Sequence, residues 1–122
     1  MVDVLFRRAS YADSNFNAVV FEILDATGAR GIQKGSQVLV KPNLLLPAAP
    51  DQGITTHPAV VRAVTEYIIE KGGHPIISDS PAMGSFRKII IRGGYADALE
   101  GLNVTIKPFK ESVKVDIGEP FG

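Results

Sequence analysis

Apolar residues along this chain recur at two spacings. Phe16, Val19, Val20, Ile23 and Leu24 stand at helical offsets, as do Val60, Val61, Val64, Tyr67 and Ile68. Each set forms one stripe on a helix with a buried side. The second pattern is the short β-branched run between breakers, which predicts strands at Val2–Phe6, Gln37–Lys41, His74–Ser78 and Asn103–Lys107. Val38-Leu-Val40 is continuously apolar, as in a strand covered on both faces. Ser112-Val-Lys-Val-Asp116 alternates instead, and reads as an antiparallel edge strand.

Breakers divide these runs. Gly28 and Gly31 lie where the first helix should stop, Pro42 closes the second strand, and Pro58 opens the second helix at a position where its missing N–H costs nothing. Lys71-Gly72-Gly73 stops that helix, Ser85 caps the next with Phe86, Ile89 and Ile90 on its buried side, and a further helical piece covers Tyr95–Leu99 after Gly93-Gly94. The connection from Asn43 to His57 is long for a compact domain. Such loops serve as lids or binding loops, and Leu44-Leu-Leu46 calls for at least partial docking.

Strands alternating with helices predict an α/β layered fold, with a mostly parallel sheet, right-handed crossovers and helices on its faces. Residues 1–122 make one such domain. Gly118-Glu-Pro-Phe-Gly122 carries no terminal signal, so the chain reads as the N-terminal part of a longer protein, with an ordinary flexible tail as the other reading.

Composition narrows the function classes. Thirteen Lys and Arg balance thirteen Asp and Glu, so no long-range field gathers nucleic acid or anionic membrane. At 122 residues with 45% hydrophobic content, the chain has enough apolar surface for a core. No cysteine is present, which excludes disulfides, cysteine nucleophiles and thiolate-held metals or clusters within these residues. With neither a secretory signal nor a membrane-length apolar run, the expected location is the cytoplasm.

Ligands of parallel sheets bind beyond the carboxyl ends of the strands, and three polar groups are expected at that rim. Lys41 and Asn43 follow the second strand, Thr55, Thr56 and His57 precede the second helix, and Asp79 and Ser80 follow the third strand. A lysine ammonium and an amide suit a phosphate or carboxylate. The helix start offers unpaired N–H groups, and the threonine hydroxyls add donors. Thr56 or His57 either caps that helix alone or caps it and also contacts a ligand. Asp79 either accepts a proton, orients His57 or binds a metal, or it and Ser80 simply stabilise a turn. His74 opens a strand at the opposite end of the sheet and is read as structural.

Dinucleotide, P-loop, nucleophile-elbow and zincin motifs are all absent. Gly72-Gly73 and Gly93-Gly94 are explained as helix stops, Arg87, Lys88 and Arg92 as a solvated face, and Tyr67 as a core-edge residue whose hydroxyl reaches water or backbone.

Val38-Leu-Val-Lys-Pro-Asn-Leu44, then Thr55-Thr-His-Pro-Ala-Val-Val-Arg-Ala-Val64, then Ile76-Ile-Ser-Asp-Ser-Pro81 together resemble the bacterial and archaeal family known as domain of unknown function 362. Its members are often described as iron-sulfur-cluster-binding proteins. The resemblance covers Val38 to Leu102 and implies a place in redox metabolism. Many family members are longer and carry ferredoxin-like cysteine motifs downstream, which hold [4Fe–4S] clusters through thiolates. This chain departs from that pattern in having no cysteine. Any [4Fe–4S] cluster would therefore belong to a longer full-length protein, and none can be assigned to these residues.

Two functions of different class follow. In one, Lys41, Asn43, Thr55, Thr56 and Ser80 bind a small anionic substrate or cofactor while His57 or Asp79 moves a proton. In the other, the domain is a non-catalytic docking module whose 44–52 loop contacts a downstream domain or a partner subunit. A metal held by His57 and Asp79 with waters is a weaker third reading, since two such ligands make a poor site. The residues define a site without defining a reaction.

Overall fold

A computed structural model describes residues 4–44, 48–53, 55–79 and 86–108. The helices are α1 (Phe16–Ala26), α2 (Pro58–Glu70), α3 (Phe86–Arg92) and α4 (Tyr95–Ala98), and the strands are β1 (Gln37–Val40), β2 (His74–Ile77) and β3 (Thr105–Ile106). Short 3₁₀ turns occupy Ala29–Gly31 and Pro50–Gln52. Gly28 ends α1 at φ +103° and Gly72 follows α2 at φ +85°, a left-handed backbone that a side chain would strain.

The sheet has the order β1-β2-β3, and both pairings are parallel. The expected α/β class is therefore correct. Val38 pairs with Pro75, Val40 with Ile77, and Ile77 with Ile106. These residues share one face, and Val40, Ile77 and Ile106 pack there against Val61 of α2, Ile89 and Ile90 of α3, and Tyr95 and Leu99 near α4. Strands laid down in sequential order with crossovers of one hand put every crossover helix on the same side. The opposite face carries Leu39, Ile76, and a His74 ring whose Nε2 lies 2.8 Å from Thr105 Oγ1.

Polar links lock the helical layer. Tyr67 is buried and donates its hydroxyl to Asp25 Oδ1 of α1 at 2.7 Å, with the Phe21 ring set edge-on at 5.2 Å. This carboxylate replaces the water or backbone partner expected for Tyr67. Arg62 reaches the Ala98 carbonyl and pairs with Glu66 at 2.9 Å, while Glu66 also accepts from Asn17. Together these bonds tie α1, α2 and α4.

Four expectations need correction. Residues 4–10 form no strand. Val4 and Phe6 are 84% and 83% exposed, and no described strand pairs with them; Val2 and Asp3 lie outside the described residues. The continuous apolar run of β1 does not reflect cover on both faces, since Leu39 is 54% exposed. The last strand shrinks to Thr105–Ile106, because only its centre meets β2. Gly31 sits within the 3₁₀ turn, so Gly28 alone stops α1. The expected antiparallel strand at 112–116 lies outside the described residues, as does Ser85.

Candidate active site

Three chain segments meet at the carboxyl ends of β1 and β2. One residue past each strand in the same register, Lys41 lies beside Ser78, whose N–H donates to the Val40 carbonyl at 3.1 Å. Pro42, itself buried, then turns the chain toward α2. Asn43 and Thr56 are doubly joined: the Asn43 N–H donates to Thr56 Oγ1 at 2.8 Å, and the Thr56 N–H donates to the Asn43 carbonyl at 2.9 Å. This pair brings the start of α2 against the end of β1.

Asp79 anchors the centre. Its Oδ1 lies 3.1 Å from Lys41 Nζ and its Oδ2 accepts the Leu44 N–H at 3.3 Å. Both carboxylate oxygens thus have partners, which suits a positioning group better than a free base. The lysine side chain is 61% exposed while the carboxylate is 7% exposed, so the ammonium faces outward from a buried counter-charge. The neighbouring Ser78 hydroxyl is buried and has no hydrogen-bond partner among the described residues. Such groups are uncommon in folded proteins and mark places where a further polar group belongs.

His57 is the N-cap of α2. Its Nδ1 accepts the Ala59 N–H at 3.0 Å, and its carbonyl accepts the Val60 N–H at 3.0 Å. With Pro58 donating nothing, the first donors of the helix are already paired, and the backbone cradle expected there is closed. Because Nδ1 is an acceptor, the neutral ring carries its proton on Nε2, and its free edge is a donor. The Tyr11 ring stacks on the imidazole at 3.7 Å and 6°, and Phe16 meets Tyr11 edge-on at 5.5 Å. Sequence reasoning missed Tyr11, which lies 46 residues before His57 in no motif, as the numbering shows. Its only available signal was an isolated aromatic in a polar segment.

Tyr95 supports the rim from below. It is buried and its hydroxyl donates to the Thr56 carbonyl. Burial raises its phenol above the ordinary value, and a hydrogen bond with the Thr55 side chain partly offsets this. Tyr95 was also missed as a supporting residue, because its reach to Thr56 spans two crossovers.

The structure therefore brings Lys41 to Asp79 and Asn43 to Thr56, with Thr55 and His57 alongside. No hydrogen bond joins His57 to Asp79, so an Asp–His pair is not formed. Ser80 lies outside the described residues. Leu44 is buried in the core and Ala48 is also buried, so neither serves as an exposed anchor; Leu45 and Leu46 lie outside the described residues. Among the described residues no three His, Asp or Glu side chains gather as metal ligands. With no cysteine in the chain, these residues do not fit a [4Fe–4S] cluster held by thiolates. No helix among the described residues is long and apolar enough to cross a membrane.

The chain is 37% identical over 108 residues to a thylakoid-associated protein of Synechocystis sp., an alignment covering 87% of this chain. It spans only 34% of that relative's length. No solved structure matches the chain. The family model for a domain of unknown function, DUF362, matches residues 38–121, from within β1 through the rim residues, and the chain belongs to that family.

Proposed function

We propose that this domain binds a small anionic ligand at the carboxyl ends of β1 and β2, with Lys41 Nζ as the principal cation. The observation that carries this reading is the Lys41–Asp79 pair, in which a nearly buried carboxylate orients an exposed ammonium at the rim. Only part of the ammonium's capacity is used by Asp79, so donors remain for a phosphate or carboxylate oxygen. Asn43 is exposed beside it and supplies an amide, and the His57 Nε2–H adds a donor whose tautomer the helix cap sets. Thr56 holds the Asn43 backbone in place, Thr55 supports Tyr95, and Ser80 follows Asp79 in sequence as a further hydroxyl.

Within this reading Asp79 positions Lys41, and His57 donates to the ligand rather than removing a proton from it. The wider role is that of the binding part of an iron-sulfur-associated redox protein, with any cluster held by cysteines outside this chain. A cytoplasmic location is in keeping with it, and the relative is a thylakoid-associated protein.

Calorimetric titration with inorganic phosphate and with acetate tests the proposal. Removing one charge-assisted contact should weaken binding about tenfold. The paired variant Lys41→Met/Asp79→Asn is the right one, because it removes the ammonium without leaving a buried carboxylate alone. Asn43→Ala should give a smaller loss. Unchanged affinity in the folded double variant, or no binding of either anion by the wild type, sinks the reading.

A further inference from the structure

Lys41 belongs to the rim and also to a second feature. An apolar groove of about 290 Å³ runs along β1 between that strand, α1 and α2, and Lys41 lines it together with Leu24, Ile32, Val38, Val40, Val64 and Ile68. The groove is open because β2 pairs with β1 on one side only, and α1, which flanks it, buries none of its residues completely. Its size matches the lower end of small-molecule sites, which run upward from about 300 Å³, and protein interiors leave few unfilled spaces of that kind. Tyr67 also borders the groove, with its hydroxyl donated to Asp25. Among the described residues that line it, Lys41 is the only charged one.

That charge stands at one end. From Val38 to Lys41 the strand advances about 10 Å, and its carboxyl end is the rim where Lys41 meets Asp79. The bonds from His74 N–H to the Ser36 carbonyl and from Ser78 N–H to the Val40 carbonyl turn alternate residues of the strand toward β2. Lys41 falls in the outward set, and its N–H has no partner among the described residues. One residue therefore offers two donors, an ammonium and a backbone N–H, where the apolar walls end.

An apolar groove with a cation at one end is complementary to a molecule with a hydrocarbon body and an anionic head. We propose that the groove takes the alkyl chain of a medium-length, unbranched carboxylic acid whose carboxylate lies on Lys41. Asp79 stands 3.1 Å from the ammonium, so a head with one negative charge meets less repulsion there than a doubly charged phosphate. A carboxylate also has two oxygens for the two donors of Lys41. The alkyl chain covers Val38, Val40 and Val64, which are half-buried without it, and every methylene taken out of water adds to the affinity. This inference rests on the anionic rim proposed above and adds to it the chemistry of the group that carries the anion.

Calorimetry with straight-chain carboxylates from acetate to octanoate tests this on the wild-type chain, with no variant needed. Affinity should rise about twofold to fourfold per methylene, so that octanoate binds at least about 50-fold tighter than acetate. Val64→Phe fills the groove with a larger apolar side chain and should bring octanoate down toward the affinity of acetate. Lys41→Met/Asp79→Asn should weaken octanoate about tenfold, through the head alone. Equal affinities for acetate and octanoate overturn the groove and leave the anionic rim standing. An octanoate gain that survives Val64→Phe in the folded variant overturns it as well, since the alkyl chain then lies elsewhere. Octanoate binding that ignores the double variant overturns both the groove and the rim, as does a failure of every acid to bind.

Discussion

Lys41 and Asp79 are held 3.1 Å apart in very different surroundings, the ammonium largely in water and the carboxylate almost wholly out of it. The two halves of this pair are therefore not equivalent. Losing Asp79 leaves a lysine that water solvates, whereas losing Lys41 leaves a nearly buried charge whose one partner among the described residues is the Leu44 N–H. Lys41→Met should cost about 1–3 kcal/mol, and Asp79→Asn, which keeps an acceptor for Leu44, under about 1 kcal/mol. The double variant should be more stable than Lys41→Met alone. Urea unfolding of the three variants checks this, and a double variant less stable than Lys41→Met would show that the carboxylate was not paying a desolvation cost.

His57 carries two structural duties that separate by substitution. As the N-cap of α2 its ring accepts the Ala59 N–H, and as a flat surface it receives Tyr11. His57→Ala removes both, costing about 1 kcal/mol for the cap and about 0.5–1.5 kcal/mol for the stack. His57→Asn should restore the cap and not the stack, while Tyr11→Ala should lose only the stack. Thermal unfolding measures the order. Equal midpoints for the alanine and asparagine variants would mean that the cap contributes nothing.

Tyr95 gives the domain an alkaline limit. Its phenol is raised by burial, so the folded state holds the proton more tightly than the unfolded chain does. Stability from this group is fully present below the ordinary tyrosine value of about 10 and is lost as pH rises toward and through the folded value. In a spectrophotometric titration of the native protein, Tyr95→Phe should remove one ionisation step that lies above the ordinary tyrosine value of about 10. The same variant should flatten the loss of stability above about pH 10, although it forfeits the bond to the Thr56 carbonyl at every pH.

Much of this site is legible in the sequence, for physical reasons that differ from one residue to the next. Lys41, Thr56 and Asp79 follow or precede regular elements, and a parallel sheet carries such positions to one rim whatever the side chains do. His57 before Pro58 is a cap on local grounds alone. What sequence cannot supply is the partner of each group. Nothing in the spacing distinguishes Asp79 bound to Lys41 from Asp79 bound to His57. Nor does it say that Ala59 uses the donor once assigned to a ligand. Tyr11 and Tyr95 reach the rim through packing between distant segments, where no periodicity links them. The first strand failed for a different reason. A short apolar run such as Val4-Leu-Phe6 has the composition of a strand, but a strand exists only where a neighbour pairs with it.

The leucine loop separates the two functions that the sequence left open. Leu44 is fully buried, packs in the cluster that holds Val61, Ile77 and Tyr95, and gives its N–H to Asp79. Truncating it therefore acts on fold and rim together. Leu44→Ala should cost about 2–5 kcal/mol, while the volume-conserving Leu44→Met should cost under about 1.5 kcal/mol. The alanine variant should also bind phosphate more weakly than Leu44→Met under conditions where both are folded, because the backbone N–H of residue 44 that Asp79 accepts is then held less firmly, and with it the carboxylate's orientation toward Lys41. An anchor meant for a partner would behave in the opposite way, since an interface leucine contributes little to the isolated fold. A Leu44→Ala chain with wild-type stability and wild-type phosphate affinity would move this residue to the docking function and detach the loop from the rim.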